Sequence, residues 1–230
     1  MNTNLIDLSD LEIEEQGNDH MWTSEETPLR VDAFEMSDEE KMAKIEANFA
    51  EIMHTLGLDL TDDSLRATPR RVAKMYVKEI FGGLKPENKP KTSSFSNKYN
   101  YSEMLVEKDI TVYSTCEHHF LPIVGKAHIA YFSNGNVIGL SKMNRIVDYF
   151  AKRPQVQERM TIQVVRELQK MLGTEDVACV VDAKHLCVNS RGIRDIQSST
   201  VTAEFGGKFK NPDVKQEFLN YLQVKLEAGI

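Results

Sequence analysis

The sequence predicts an α+β protein: a pair of N-terminal helices, a four-stranded antiparallel sheet with two helices between its hairpins, and a closing helix. Three observations carry this. Apolar residues recur at helical spacing from Met42 to about Phe81, and the period then changes to two beyond the polar stretch Lys85–Asn100. Two further helical patterns lie between two stretches of period two. With 230 residues, 41% of them hydrophobic, the chain can bury one proper core.

Residues 1–36 are strongly acidic and lack sustained periodicity, so they read as a largely disordered leader, with one short amphipathic segment around Leu5–Ile13. Order is expected from Ser37, where Ser37 and Glu40 form a capping-box pattern. Met42, Ile45, Phe49, Ile52, Met53 and Leu56 then mark a helix that Gly57 closes. A second helix is predicted over Asp63–Phe81, with Thr68-Pro69 in its first turn or at a kink and Gly82-Gly83 ending it. These two make a helical region over residues 37–90, and residues 91–230 form the sheet domain.

In that domain Ile110, Val112, Ser114 and Cys116 share one strand face, and Ile123, Ala127, Ile129 and Tyr131 share a face of the next. The turn "SNGN" follows. Ser141 is the expected N-cap of a helix carrying Met143, Ile146, Val147 and Phe150. Arg153-Pro154 interrupts the pattern, and a longer helix with Val156, Met160, Val164, Leu168 and Met171 ends at Gly173. Strands are expected over 177–188 and 196–205, and Asn211-Pro212 should open a last helix. A sheet of this size has two unpaired edges, which predicts an oligomer.

Residues 1–40 hold thirteen acids against Arg30 alone, a net of −12, so the rest of the chain carries +5 of the total −7. A mildly basic body suits an anionic ligand better than the total suggests, although +5 is also the ordinary balance of a solvated surface. No apolar run approaches the roughly 18 to 20 residues needed to cross a bilayer. The N-terminus has no basic, then apolar, secretory pattern. A cytoplasmic protein that engages neither membrane nor nucleic acid is expected, and its cysteines, Cys116, Cys179 and Cys187, are too few for a disulfide framework.

The chemistry concentrates in two stretches. "STCEHHF" holds Cys116 and His119 in a C-x-x-H spacing at a strand end. "KHLCVNSRGIR" holds His185 and Cys187, which on a strand would share a face with Cβ atoms roughly 6 to 7 Å apart. Cys116, His119 and Cys187 could hold one ion and leave a fourth tetrahedral position for water, the pattern of catalytic zinc. Glu117 or His118 could instead fill that position and make the site structural. Cys179, in "VACVV", reads as core.

Cations gather in the same regions. Ser141 and Lys142 open a helix whose free N–H groups favour phosphate, and Arg145 lies one turn on. Arg191 adjoins Gly192, and Arg194 follows. Each alone reads as a solvated base; with a metal, the set points to a phosphorylated substrate.

"STCEHHF", "GLSKMNRIV", "RPQVQERMT" and "HLCVNSRGIRD", in that order and spacing, resemble the GTP cyclohydrolase I family, and "ATPRRVAKMYVKEIF" is similar to that family's second helix. The resemblance runs from about Ser37 to near the C-terminus. It implies the tunnelling fold (T-fold), whose four-stranded sheets join edge to edge into a ring, and a homodecamer of two pentameric rings with sites between subunits. It implies zinc (Zn2+) on Cys116, His119 and Cys187, and conversion of GTP and water to 7,8-dihydroneopterin triphosphate and formate, the entry to tetrahydrofolate and other pterins. The implied roles are His185 as the acid at guanine N7, Ser141 and His118 as aids to later proton transfers, and Glu158, flanked by Gln157, as the guanine anchor. Lys142, Arg145 and Arg191, with Arg71 and Lys74 from a neighbouring subunit, match triphosphate-binding positions. Within the same fold a nitrile reductase with a nucleophilic cysteine is the nearest rival, and a zinc-stabilised binding module is the rival from another class.

Overall fold

The structure, a computed structural model, describes residues 24–91 and 94–224. The expected amphipathic segment at Leu5–Ile13 lies outside them. Helix α1, Asp38–Thr55, begins at the capping box: Ser37 accepts from the Glu40 N–H while the Glu40 carboxylate takes the Ser37 N–H at 2.8 Å. Gly57, at φ +81°, takes the left-handed position just past its end.

The second helix is shorter than its sequence pattern. α2 covers Thr68–Lys74, with Pro69 in the first turn, and the chain then widens into a π-helical segment over Met75–Ile80. Residues 63–67 are turn because the Asp62 carboxylate captures the N–H and hydroxyl of Ser64, offering the backbone a local alternative to the helix. Gly83 then runs against α3, Leu140–Ala151, so closely that a Cβ would sit 2.0 Å from the Tyr149 carbonyl.

The main sheet has five strands in the order β5-β2-β3-β6-β7. β2 (Leu105–Cys116), β3 (Pro122–Tyr131), β6 (Val177–His185) and β7 (Thr200–Phe205) form the expected antiparallel set. The fifth strand, β5 (Pro154–Gln155), is an addition: it pairs in parallel with Thr115 and Cys116, because the chain is extended there between two helices. A separate two-residue pair, β1 (Phe95–Ser96) with β4 (Asn136–Val137), ties down the polar stretch read as a plain loop.

Helices α3 and α4, Gln157–Leu172, cover one sheet face. Met143, Ile146, Met160, Val164 and Leu168 meet Val112, Ile123, Ile129, Cys179 and Val181 there, all nearly inaccessible to solvent. Gly173, at φ +67°, ends α4 as expected. The opposite face is also partly covered. The last helix, Pro212–Gln223, capped by Asn211, brings Phe218 onto Phe209, Ala130, Ala178 and Val180. Period two decides which residue of each adjacent pair faces which layer: Ala178 and Val180 one way, Cys179 and Val181 the other.

Candidate metal centre and its surroundings

β2 delivers Cys116, buried, to the end of the sheet. The next four residues turn back at once: the Cys116 N–H donates to the Leu121 carbonyl at 2.8 Å, and the Phe120 N–H to the Cys116 carbonyl at 2.9 Å. Phe120 pays for this tight loop with a left-handed φ of +54°, and its ring is held edge-on by Phe81 at 5.4 Å. The loop returns His119 over Cys116.

Cys187 arrives by a different route from the one the sequence predicts. β6 stops at His185, and Leu186–Asn189 forms a single helical turn, locked by Ser190, whose hydroxyl and N–H both donate to the Leu186 carbonyl. His185 and Cys187 therefore do not share a strand face. The helical turn nonetheless places the Cys187 sulfur so that ligand atoms of Cys116, His119 and Cys187 all lie within 4.8 Å of one another.

This donor set, two thiols and an imidazole gathered within 4.8 Å, fits a divalent ion of zinc's character. Burial, and then the neighbouring Cys116 thiol, push the Cys187 thiol above the usual thiol range. Two thiolates this close in a half-buried site need a cation to be stable together. The two fourth-ligand candidates are each engaged by a neighbour. The Glu117 carboxylate pairs with the Arg159 guanidinium, and His118 directs Nδ1 to 3.6 Å from the Cys116 sulfur. Among the described residues the grouped ligands are three, which leaves a tetrahedral ion one open position.

Some of the other predicted residues stand beside this centre. Arg191, from the loop after the helical turn, lies with Nη1 2.9 Å from His119 Nε2. His185 Nε2 lies 2.8 Å from Gln157 Oε1, and Gln157 Nε2 donates to the carbonyls of Val181 and Thr200 and to the Thr202 hydroxyl. An amide oxygen has no hydrogen, so the proton is on His185 Nε2, and Nδ1 is the free position. Burial lowers the His185 pKa, and the Glu158 carboxylate opposes that shift. Glu158 itself is exposed in the first turn of α4.

The cations are less concentrated. Ser141 is not the N-cap: Gly139 is, and Ser141 is the second residue of α3, exposed, because the extended Gly139 backbone already turns into the helix. Lys142 donates to the Lys91 carbonyl at 2.5 Å, and Arg145 is exposed one turn on. Arg71 and Lys74 are exposed on α2, where Arg71 bonds locally to the Ser64 carbonyl and Thr68 hydroxyl. Arg194 adopts a left-handed φ of +57° in the exposed loop after Arg191.

The GTP cyclohydrolase I family model matches residues 45–223. The chain belongs to the GTP cyclohydrolase I family. A protein of Flavobacterium johnsoniae named GTP cyclohydrolase 1 is 68% identical over 212 residues, covering 92% of this chain and 95% of that protein. Proteins of the same name from Yersinia pseudotuberculosis and Vibrio parahaemolyticus are 55% identical over 195 residues and 56% identical over 199. They cover 84% and 86% of this chain, and 88% and 91% of their own lengths. As a member of this family of enzymes, the chain carries its Cys-His-Cys group at the junction of β2, β3 and β6.

Sequence reasoning missed one residue near the centre. Arg159 is buried, donates from Nε to Gln155 Oε1 at 2.9 Å, and carries the Glu117 carboxylate. Its signal was a cation in the first turn of a helix, next to Met160 on the edge of the apolar stripe that runs on through Val164 to the core.

Proposed function

We propose that this chain converts GTP and water to 7,8-dihydroneopterin triphosphate and formate, the first step of pterin and tetrahydrofolate synthesis, using Zn2+ held by Cys116, His119 and Cys187. The observation that carries the reading is the three-ligand group with His185, Glu158 and Arg191 beside it, in a chain 68% identical to a protein of that name. When bound, the ion supplies Lewis acidity and a water acidic enough to give hydroxide near neutral pH.

The chain's own residues would do the rest. Glu158 accepts from guanine N1–H and the 2-amino group, a bidentate pair that adenine cannot offer, so it sets base selectivity. Gln157 fixes His185 through Nε2–H, leaving Nδ1 to give and take the proton at guanine N7, which makes C8 electrophilic. His118 and Ser141 assist proton transfers as the opened ribose rearranges. Lys142, Arg145 and Arg191 hold the triphosphate, with Arg71 and Lys74 reaching it from a neighbouring subunit.

The same reading makes the protein a homodecamer of two five-membered T-fold rings, acting in the cytoplasm. Two features support it. Among the described residues β7 ends the sheet with an unpaired edge, and β5 covers only the last two residues of the β2 edge, so both margins offer backbone groups to another copy. No described helix is long and apolar enough to cross a membrane. Incubation with GTP carrying 13C at C8 tests the activity: labelled formate with matching pterin absorbance, absent with ATP, is expected, and no formate from a zinc-loaded oligomer would overturn it.

A further inference from the structure

A continuous polar chain runs from the described end of the acidic leader to the metal-binding turn. Gln163 Nε2 donates to the Glu26 carboxylate at 2.6 Å, and Gln163 Oε1 accepts from Gln155 Nε2 at 2.9 Å. Gln155 Nε2 also donates to the Phe150 carbonyl, while Gln155 Oε1 accepts from Arg159 Nε at 2.9 Å. Arg159 Nη2 donates to Glu117, between the ligands Cys116 and His119, and to the Pro154 carbonyl at 3.3 Å. The Glu117 N–H closes the circuit on the Gln155 carbonyl at 3.0 Å.

The direction of this chain is set by its ends. A carboxylate only accepts and a guanidinium only donates, so each glutamine amide has one orientation that satisfies both neighbours. Gln155, Gln163 and Arg159 are nearly inaccessible to solvent, at 0%, 3% and 4%, so a reversed amide would put two donors or two acceptors face to face without water. Arg159 also has a buried Nη1 with no hydrogen-bond partner among the described residues, so its position depends on the contacts that remain.

We propose that Glu26, through Gln163 and Gln155, orients Arg159 as a positioning residue that fixes Glu117 and with it the Cys116–His119 turn for metal binding. Arg159 touches neither ligand; it acts through Glu117. The inference rests on the metal reading above and adds to it a role for the end of the leader. Glu26 itself is exposed, so its substitution leaves the core intact.

The test is the rate at which zinc-loaded, full-length protein yields Zn2+ to an excess of a chromogenic chelator. Glu26→Gln keeps an acceptor oxygen and should release within about twofold of the unaltered protein, whereas Glu26→Lys, which offers Gln163 only a donor, should release about tenfold faster. Arg159→Met should release about 10- to 100-fold faster, with Arg159→Lys recovering part of the loss because it keeps one donor to Glu117. Release from Glu26→Lys no faster than from Glu26→Gln would overturn the proposal, and both variants are expected to fold. If the unaltered protein retains no zinc at all, the metal reading fails first and this proposal with it, a result visible before any variant is made.

Discussion

His185 Nε2 donates to Gln157 Oε1 at 2.8 Å, and the same Gln157 amide spends its N–H groups on Val181, Thr200 and Thr202. One buried side chain thus sets both the tautomer and the orientation of His185, whose imidazole the Glu158 carboxylate influences, and joins α4 to β6 and β7. Replacing Gln157 with leucine should leave two carbonyls and His185 Nε2–H unsatisfied, at a cost of about 1 to 3 kcal/mol in stability. It should also lower kcat by about 10²-fold or more, as expected when a general acid loses its support. Thermal unfolding and steady-state kinetics on one preparation separate the two effects.

Loss of Cys187 should abolish stoichiometric metal. Cys187→Ser keeps the helical turn, because Ser190 and not Cys187 locks it, but offers a hydroxyl that zinc binds poorly. Elemental analysis of the purified variant should find far less than one zinc per chain; one full equivalent would remove Cys187 from the ligand set.

Glu158→Gln should lose the charged acceptor for guanine while keeping the helix start. The expected result is a fall of about 10²-fold or more in kcat/KM for GTP with zinc content unchanged. Unchanged kcat/KM would mean that another residue reads the base.

Stability should fall in mild acid through His128. The Asp109 N–H donates to His128 Nδ1 at 3.1 Å, and Asp109 takes a left-handed φ of +61° at the bulge in β2. Protonation of Nδ1 breaks that bond. Burial lowers the His128 pKa; Asp109 and Asp182 oppose the shift, and Lys126 and Lys108 add to it. The unfolded chain therefore binds the proton first, so the contribution is present above the ordinary histidine pKa of about 6.5 and is lost as pH falls through the lower folded value. Melting temperatures should decline across that window, and His128→Gln, which can still accept through its amide oxygen, should decline less.

Local chemistry made much of this legible in the sequence. Ser37 with Glu40, Gly173 and Asn211-Pro212 mark helix ends through caps that need no distant partner, and residue type and spacing single out Cys116, His119 and Cys187, which the fold brings within 4.8 Å of one another. The errors arose where neighbours in space decided the outcome. β6 gives way to a helical turn after His185, so strand alternation misled about Cys187. Asp62 diverts the backbone at Ser64 and delays α2, and Gly139 takes the cap expected of Ser141. Arg159 and Glu117 lie in two motif stretches 42 residues apart, and only the fold brings the guanidinium onto that carboxylate, so spacing along the chain did not reveal the pair. Phe218 covers a second sheet face that a count of helices between hairpins does not reveal.

On the proposed function, GTP turnover depends on the ion held by Cys116, His119 and Cys187. The most direct measurement is to strip the protein of metal, confirm by circular dichroism that it stays folded, and titrate Zn2+ back while following formate release from GTP. No release is expected without metal, then a linear rise that saturates at about one Zn2+ per chain, as three protein ligands with one open position require. Full turnover by the metal-free, folded protein would contradict it.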